Sequence, residues 1–312
     1  MKFRQKGEYM TIYKVIIELK SRLVTPLMGD TIFGHVLWGI ARNEGDEAVT
    51  KFINTLEQKP FVVSNAFPHN YLPKPILIDN SYKEEDYSNI KKIKKIKYIP
   101  AEYFYKNEKI TTTLFSKYIN DESMYKYETL EHIKNTCDRI NGGTIEETGL
   151  YGVEEIWITA GENKKVLFDI YIGTSLELKD IEQYITWSFE NGYGADASIG
   201  AGAITFITIE AVQFPENGTR AMALGPFVVP EPHLYEKLDL RANTIVKRGK
   251  VGDIYTHHIN PFKKPILFYA EGSTFNADAI NKPYIGSLLR NIHKDDRIVH
   301  QGWAPVIRFN EG

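Results

Sequence analysis

The sequence predicts an α+β protein whose first part follows the order strand, helix, strand, strand, helix, strand. Three observations lead to this prediction: an early run of β-branched residues, an amphipathic helix soon after it, and a second helix followed by glycines and another strand. This βαββαβ order is that of ferredoxin-like folds, which also carry RNA-recognition modules. We expect such a domain over residues 1–214 and a smaller β-rich domain over residues 215–312.

The composition is that of an intracellular protein with enough apolar residues to form real cores. Of the 312 residues 43% are hydrophobic, and the formal net charge is -2. The single cysteine, Cys137, excludes a disulfide framework and a cysteine-rich zinc site. No secretory signal is visible, and the first strand is too short to span a bilayer, so we expect a cytoplasmic protein.

The first strand and helix are the clearest elements. Thr11–Leu19 is rich in β-branched residues, and Met28–Glu44 carries one apolar stripe behind Asp30 or Thr31, either of which could cap the helix start. Lys20 and Arg22 lie just upstream, so the helix start could bind an anion. His35 lies on this helix, where a histidine is more often a structural hydrogen-bonding residue than a general base.

Residues 79–148 read as an insertion, because they separate the first helix from the strand that begins at Gly149 by far more than a normal connection. Within it IKKIKKIK alternates isoleucines with Lys91, Lys92, Lys94 and Lys95. This pattern fits either a solvated lysine face or a phosphate-binding strip. Arg139 precedes an Asn-Gly-Gly turn, which indicates a projecting hairpin suited to meeting nucleic acid.

After the insertion, Gly149–Ala160 and Lys164–Gly173 read as two strands joined by a turn, followed by a helix over Asp180–Glu190. The glycine-rich stretch Asn191–Phe206 comes next, and Ala203–Val212 reads as a strand. In the second domain, strand candidates are Arg220–Pro230, Asn243–Arg248, Pro265–Ala270 and Pro305–Phe309.

The glycine-rich stretch contains Gly192, Gly194, Gly200 and Gly202 together with Ser198. Such density indicates positive φ angles or close backbone approach. A dinucleotide fingerprint would need strand, glycines, helix, and a P-loop would need a closing Lys-Ser or Lys-Thr pair, so both are excluded. A tight turn remains one interpretation. The other is a loop whose free N–H groups and Ser198 hydroxyl bind phosphate oxygens or base edges.

Several motifs together resemble the RAMP proteins of CRISPR effector complexes, and most closely the fourth subunit of type III-A (Csm) complexes. They are TPLMGDTIFGHVLW at 25–38, SNAFPHNYLPKP at 64–75, KKIKYIPAEYF at 94–104, NTCDRINGGT at 135–144, GLY at 149–151, GYGADASIGAG at 192–202, KKPILFYAEGSTF at 263–275 and VHQGWAPVIRF at 299–309. The resemblance covers nearly the whole chain in order.

The resemblance implies two RAMP-type ferredoxin-like domains with a thumb-like hairpin inserted in the first. It implies a non-catalytic subunit that binds the 5′ handle of the guide RNA (crRNA), docks the large polymerase-nuclease subunit and contacts a backbone RAMP subunit. Its thumb would kink the duplex of guide and target RNA. No cofactor, metal or membrane is implied.

Carried onto this sequence, the glycine-rich stretch and the helix start near Asp30 belong to the handle-binding surface and Arg139 to the arm. Ile199 and Ala201 stand where RAMP glycine loops often have a lysine or arginine. Phosphate contacts are then expected from Lys247, Arg248 and Lys250, or from Lys20 and Arg22. The predicted RNA-binding residues are Lys20, Arg22, Asp30, Thr31, His35, Lys91, Lys92, Lys94, Lys95, Arg139, Gly192, Gly194, Ser198, Gly200, Gly202, Lys247 and Arg248.

Two other functions stay open. A RAMP-type endoribonuclease that processes repeat RNA would use a histidine general base, for which the candidates are His35, His257, His258, His293 and His300. No recognisable set of histidine, tyrosine and lysine supports it, and no spacing suits a metal enzyme. A purely structural assembly subunit is favoured by the near-neutral charge and opposed by the glycines and the lysine strip.

Overall fold

The computed structural model describes residues 10–78, 87–119, 125–136, 143–144, 149–161, 164–229, 234–252 and 260–312. The strands are β1 Thr11–Leu19, β2 Val62–Pro68, β3 Tyr71–Pro73, β4 Tyr98–Pro100, β5 Lys109–Ile110, β6 Lys126–Asn135, β7 Leu150–Thr159, β8 Val166–Thr174, β9 Ile204–Val212, β10 Arg220–Ala223, β11 Thr244–Lys247, β12 Ile266–Tyr269, β13 Thr274–Asn276, β14 Tyr284–Leu289 and β15 His300–Glu311. The α-helices are α1 Gly29–Glu44, α2 Asp46–Thr55, α3 Tyr87–Lys95, α4 Glu102–Tyr105, α5 Thr112–Phe115, α6 Leu178–Phe189 and α7 Leu234–Leu238.

The first sheet has the strand order β2-β8-β1-β9, and all its pairings are antiparallel. Helix α1 lies between β1 and β2 in the chain, and α6 lies between β8 and β9, so the element order is the predicted βαββαβ. The two helices approach closely at Gly39, where a Cβ would lie 2.9 Å from the Cβ of Trp187. They pack on the sheet because the apolar stripes of both helices are buried in one core with Val15 and Ile17 of β1.

The opposite face of this sheet packs against the C-terminal part of the chain. Ile12 and Tyr171 from the first sheet share a second apolar core with Ile307 and Phe309 of β15. Residues of the predicted insertion join the same core, and β5 pairs in parallel with β15. The part of the insertion from 87 to 119 is therefore packed into the molecule rather than projecting from it.

Strands β6 and β7 form an antiparallel hairpin. Strand β7 pairs along its whole length with β6, from Lys126 opposite Thr159 to Asn135 opposite Leu150. The two strands predicted at Gly149–Ala160 and Lys164–Gly173 are β7 and β8. They do not pair with each other, because β8 pairs with β1 and β2 inside the first sheet.

The C-terminal part forms a sheet with the order β13-β10-β15-β14, with β5 added to β15, and a separate ribbon of β11 and β12. Only the first four residues of the predicted strand Arg220–Pro230 are strand. In the described residues of this part the one α-helix is α7, which has five residues. A second βαββαβ domain and a boundary at residue 214 therefore stay predictions.

Candidate nucleic-acid interface

The loop between α6 and β9, residues 191–203, is called the glycine loop from here on. Its glycines all have positive φ: Gly192 76°, Gly194 76°, Gly200 87° and Gly202 63°. At Gly202 a Cβ would lie 2.0 Å from the Tyr193 carbonyl oxygen, and at Gly194 it would lie 2.5 Å from the Thr25 Cβ. Both the backbone conformation and the close approach therefore require glycine at these two positions.

Most backbone N–H groups of the glycine loop already have partners within the protein. Gly194 donates to His35 Nε2 at 3.2 Å and Ala195 to Thr25 Oγ1 at 2.9 Å. Gly202 donates to the Arg22 carbonyl at 2.7 Å, and Gly200 to that of Ala197 at 3.1 Å. The expectation of a loop with freely available amides is therefore too broad. Hydrogen bonds to the part of the chain that the structure describes leave the amides of residues 196–198 and the exposed Ser198 for a ligand.

His35 supports the glycine loop. Its ring lies 4.7 Å from that of Tyr193, and its Nε2 accepts the hydrogen bond from Gly194. Burial lowers the pKa of His35 to about 4, and the charge of Arg42 acts in the same direction. The neutral ring is therefore a hydrogen-bonding support, as the sequence favours, and its acceptor nitrogen is occupied.

The start of α1 is not capped as predicted. Neither Asp30 nor Thr31 is the N-cap residue, since the helix begins at Gly29. The N-cap residue is Met28, and its side chain makes no capping hydrogen bond. Instead the Gly29 N–H donates to Asn65 Oδ1 at 2.8 Å. The helix start is thus partly satisfied from within, because β2 supplies a side-chain oxygen there.

Asp30 is at the centre of a buried charged cluster. Its side chain is 1% exposed, its Oδ1 accepts from Lys247 Nζ at 2.6 Å, and its Oδ2 lies 3.0 Å from His300 Nε2. Burial would raise the pKa of Asp30, but the hydrogen bond from His300 and the charge of Lys247 outweigh it and lower this pKa to about 2. Lys263 Nζ completes the cluster at 3.2 Å from His300 Nδ1. Asp30 and Lys247, both predicted to bind RNA, are therefore paired with each other in this structure.

A cavity of about 890 Å³ opens beside this cluster, within the size range of ligand sites. It brings together six of the predicted residues: Asp30, Thr31, His35, Gly192, Gly194 and Lys247. Its wall also holds residues that the sequence did not single out, among them Trp38, Lys263, Arg290 and Arg297. Six lysine or arginine residues line it against four aspartates, so the balance favours an anionic ligand.

The remaining predicted cations lie elsewhere or have acidic or aromatic partners. Lys20 Nζ lies 2.6 Å from Glu18, and Arg22 Nε lies 2.7 Å from Glu155. Arg248 stacks over the Phe262 ring at 5.0 Å. Lys91, Lys92, Lys94 and Lys95 are exposed on α3, which does not line the cavity, and Ile93 of that helix is buried in the second core. Arg139 lies outside the described residues.

The hairpin of β6 and β7 is joined to the glycine loop. Lys134 of β6 forms an ion pair with Asp196 of the loop. Ile156 of β7 also exchanges backbone hydrogen bonds of 2.9 and 2.7 Å with Leu23, which lies in the segment after β1. The charge patterning of the sequence gave no sign of these contacts, because the paired residues are separated by 62 and 133 positions in the chain.

The other candidate histidines are also engaged or not described. His300 belongs to the buried cluster, and His293 Nε2 lies 2.9 Å from the Asn260 carbonyl. His257 and His258 lie outside the described residues. Among the residues that the structure covers, no group of three or more histidine, cysteine, aspartate or glutamate residues is placed to hold a metal ion. No helix in the described ranges combines the length and apolar character needed to cross a membrane.

No family model and no curated protein matches the chain. Solved structures do match. A chain of the Csm1-Csm4 cassette in complex with cA4 matches with a TM-score of 0.59 and 17% identity, over 96% of this chain and 100% of that one. A chain of the cassette in complex with pppApA matches with a TM-score of 0.58 and 17% identity, with the same coverage. A chain of the Csm3-Csm4 subcomplex in the type III-A CRISPR-Cas interference complex matches with a TM-score of 0.56 and 16% identity, over 96% of this chain and 99% of that one.

The likeness runs almost end to end in both chains, and Csm4 is the component common to the two kinds of assembly. The chain therefore shares its fold with chains of the Csm1-Csm4 and Csm3-Csm4 assemblies, which agrees at the level of the fold with what its motifs predict.

Proposed function

We propose that this protein is a structural subunit of a type III-A CRISPR effector complex that binds the 5′ handle of the guide RNA. The observation that carries the proposal is the coextensive match to chains of Csm1-Csm4 and Csm3-Csm4 assemblies. The names of those assemblies support a large subunit corresponding to Csm1 and a RAMP subunit corresponding to Csm3 as its partners. Guide RNA and target RNA are the nucleic-acid partners in this proposal.

The RNA strand is proposed to lie over the glycine loop and the mouth of the cavity. The loop offers the amides of residues 196–198 and exposes Ser198, Ile199 and Gly200, with little side chain to keep a strand away. Lys250 is exposed at the cavity wall and can contact phosphate. The excess of lysine and arginine over aspartate around the cavity favours a polyanion. Main-chain donors together with a few lysines suit a ribose-phosphate backbone.

In the same proposal the hairpin of β6 and β7 is the thumb. It exposes several large apolar side chains, including Ile133 at 75% and Leu150 at 70%. Ile133 is opposite Gly152, and Leu150 is opposite Asn135. The two pairs are two residues apart along each strand, so Ile133 and Leu150 lie on the same face of the hairpin. Apolar side chains on a projecting ribbon suit insertion between base steps, which would kink the guide–target duplex.

The proposed subunit consists of two ferredoxin-like domains, with the boundary near residue 214, and acts in the cytoplasm without catalysis. Support for the last point comes from the histidines. His35 is neutral and its Nε2 is occupied, and His300 is buried against Asp30, so neither is placed as a general base. Neither of these two histidines therefore favours an endoribonuclease function.

The test uses Gly200, where an added Cβ meets nothing within 4 Å. Gly200→Asp adds a negative charge to the proposed phosphate path, and Gly200→Ala adds the same backbone strain without the charge. The full chain is assembled with its partner subunits, and guide-RNA affinity is measured over a range of salt concentrations. We expect Gly200→Asp to weaken binding by about tenfold relative to Gly200→Ala, since a carboxylate close to phosphate is strongly repelled. Equal affinity of both variants and the wild type, in an intact complex, would refute RNA binding at this loop.

A further inference from the structure

The glycine loop contains one acidic residue, Asp196, at the point where the proposed RNA strand passes. Asp196 has a φ of 60° and comes directly before the short turn Ala197–Ile199. No other aspartate or glutamate occurs between residues 191 and 203. An uncompensated carboxylate here would repel the phosphate that the neighbouring amides are placed to bind.

Lys134 of the hairpin compensates this charge. Its Nζ is paired with Asp196 Oδ2, and the two side chains are 23% and 28% exposed. Such partial shielding reduces the screening by solvent and salt that makes fully exposed pairs weak. The charge of the glycine loop is thus neutralised by a residue on a different element, 62 positions earlier in the chain.

A second set of contacts ties the same two elements together. The carbonyl oxygen of Arg22 accepts a hydrogen bond from the Gly202 N–H at 2.7 Å. The Nε atom of the same residue lies 2.7 Å from Oε1 of Glu155 on β7. Its neighbour Leu23 is bridged to Ile156. The short segment after β1 is therefore bonded to the glycine loop on one side and to the hairpin on the other.

We propose that Lys134 is a positioning residue: its pair with Asp196 neutralises the carboxylate of the glycine loop and fixes the hairpin to that loop. RNA bound at the loop and the orientation of the hairpin are coupled through this pair. The inference rests on the proposed RNA function for its first consequence, the affinity, but not for its second, the rigidity of the hairpin.

The test is a double-mutant cycle with Lys134→Gln, Asp196→Asn and the combination of both in the full chain assembled with its partner subunits. The first readout is affinity for a single-stranded RNA with the sequence of the 5′ handle. Lys134→Gln should weaken binding about 3- to 10-fold, the effect of one uncompensated charge a few ångström from a phosphate. The double variant should return to within about twofold of the wild type, because its loop is again neutral.

The second readout is amide hydrogen exchange of β6 without RNA. Both single variants and the double variant should exchange faster than the wild type, since all three lack the pair. A matched control removes an ion pair outside the loop and hairpin: Lys106→Gln in the Lys106–Glu102 pair should change neither readout.

The outcomes separate the two levels of the argument. If the double variant binds RNA as weakly as Lys134→Gln, Lys134 contacts the RNA directly and the inference is wrong. Unchanged exchange of β6 in all three variants would also overturn it. If the wild-type complex fails to bind the handle RNA, the proposed function fails, and the exchange measurement still decides the coupling of hairpin and loop.

Discussion

At the scale of single residues, the glycine loop shows what a sequence can and cannot reveal. The density of glycines predicts positive φ, and the structure confirms it at all four positions. The hydrogen-bond partners of the loop were not predictable, because His35 and Thr25 lie 159 and 170 positions away from the amides they accept from. Local patterns carry backbone conformation, whereas partners depend on tertiary packing.

Gly202→Ala is expected to destabilise the protein by more than about 2 kcal/mol. A left-handed conformation costs an alanine about 1–2 kcal/mol, and the contact of its Cβ with the Tyr193 carbonyl adds to this. The control is Gly34→Ala in α1, where a Cβ meets nothing within 4 Å and stability should rise by about 0.5–1 kcal/mol. Urea denaturation measures both changes. Equal effects of the two substitutions would contradict the close approach at Gly202.

Lys263 gives a prediction for pH. Burial lowers its pKa from 10.5 to about 8, although the charge of Asp30 opposes the shift. Between these pH values the unfolded chain holds a proton that the folded protein has lost, so this residue makes the free energy of unfolding rise with pH. Lys263→Met should flatten that rise between pH 8 and 10, measured by urea denaturation. The control is Lys264→Met at the exposed neighbouring residue, which should keep the wild-type slope of the free energy of unfolding against pH. If Lys263→Met also kept this slope, the burial of the Lys263 amine would be contradicted.

At the scale of elements, the strands and helices of the first sheet were predictable because each buries a regular apolar stripe. The ends of β1 are those that its β-branched run predicts. Strand β6 was not predicted, because it exposes nearly all its residues and so lacks a core-facing pattern. The pairing of β7 with β6 was therefore not predicted either. Strand pairing in a projecting ribbon is set by cross-strand contacts that a single strand does not display.

The double variant Ile133→Ser and Leu150→Ser tests the role of this hairpin as a thumb. Both side chains are mostly exposed, so the free energy of unfolding should change by no more than about 0.5 kcal/mol per site. In the assembled complex, affinity for target RNA should fall about tenfold, which corresponds to roughly 1.4 kcal/mol of lost apolar burial. Leu178→Ser on α6 removes a similar exposed side chain outside the hairpin and should have no effect. Unchanged target affinity in the double variant would contradict the thumb.

At the scale of the whole molecule, the two parts of the chain share their cores. Gln301 of β15 is fully buried and binds both backbone groups of Val63, accepting from its N–H at 3.0 Å and donating to its carbonyl at 2.7 Å. Asp30 and His300 meet across 270 positions. Sequence patterns predicted a division near residue 214, but they could not show such contacts, since no local periodicity encodes them. The cavity exists only because the two parts are joined in this way.

The central claim is that RNA lies against the glycine loop, and photo-crosslinking of guide RNA in the assembled complex tests it most directly. Photoreactive nucleotides are placed at each position of the 5′ handle, and the crosslinked peptides are identified by mass spectrometry. The account predicts that handle nucleotides crosslink to peptides containing residues 191–203. Crosslinks confined to other parts of the chain, such as the lysines of α3, would contradict it.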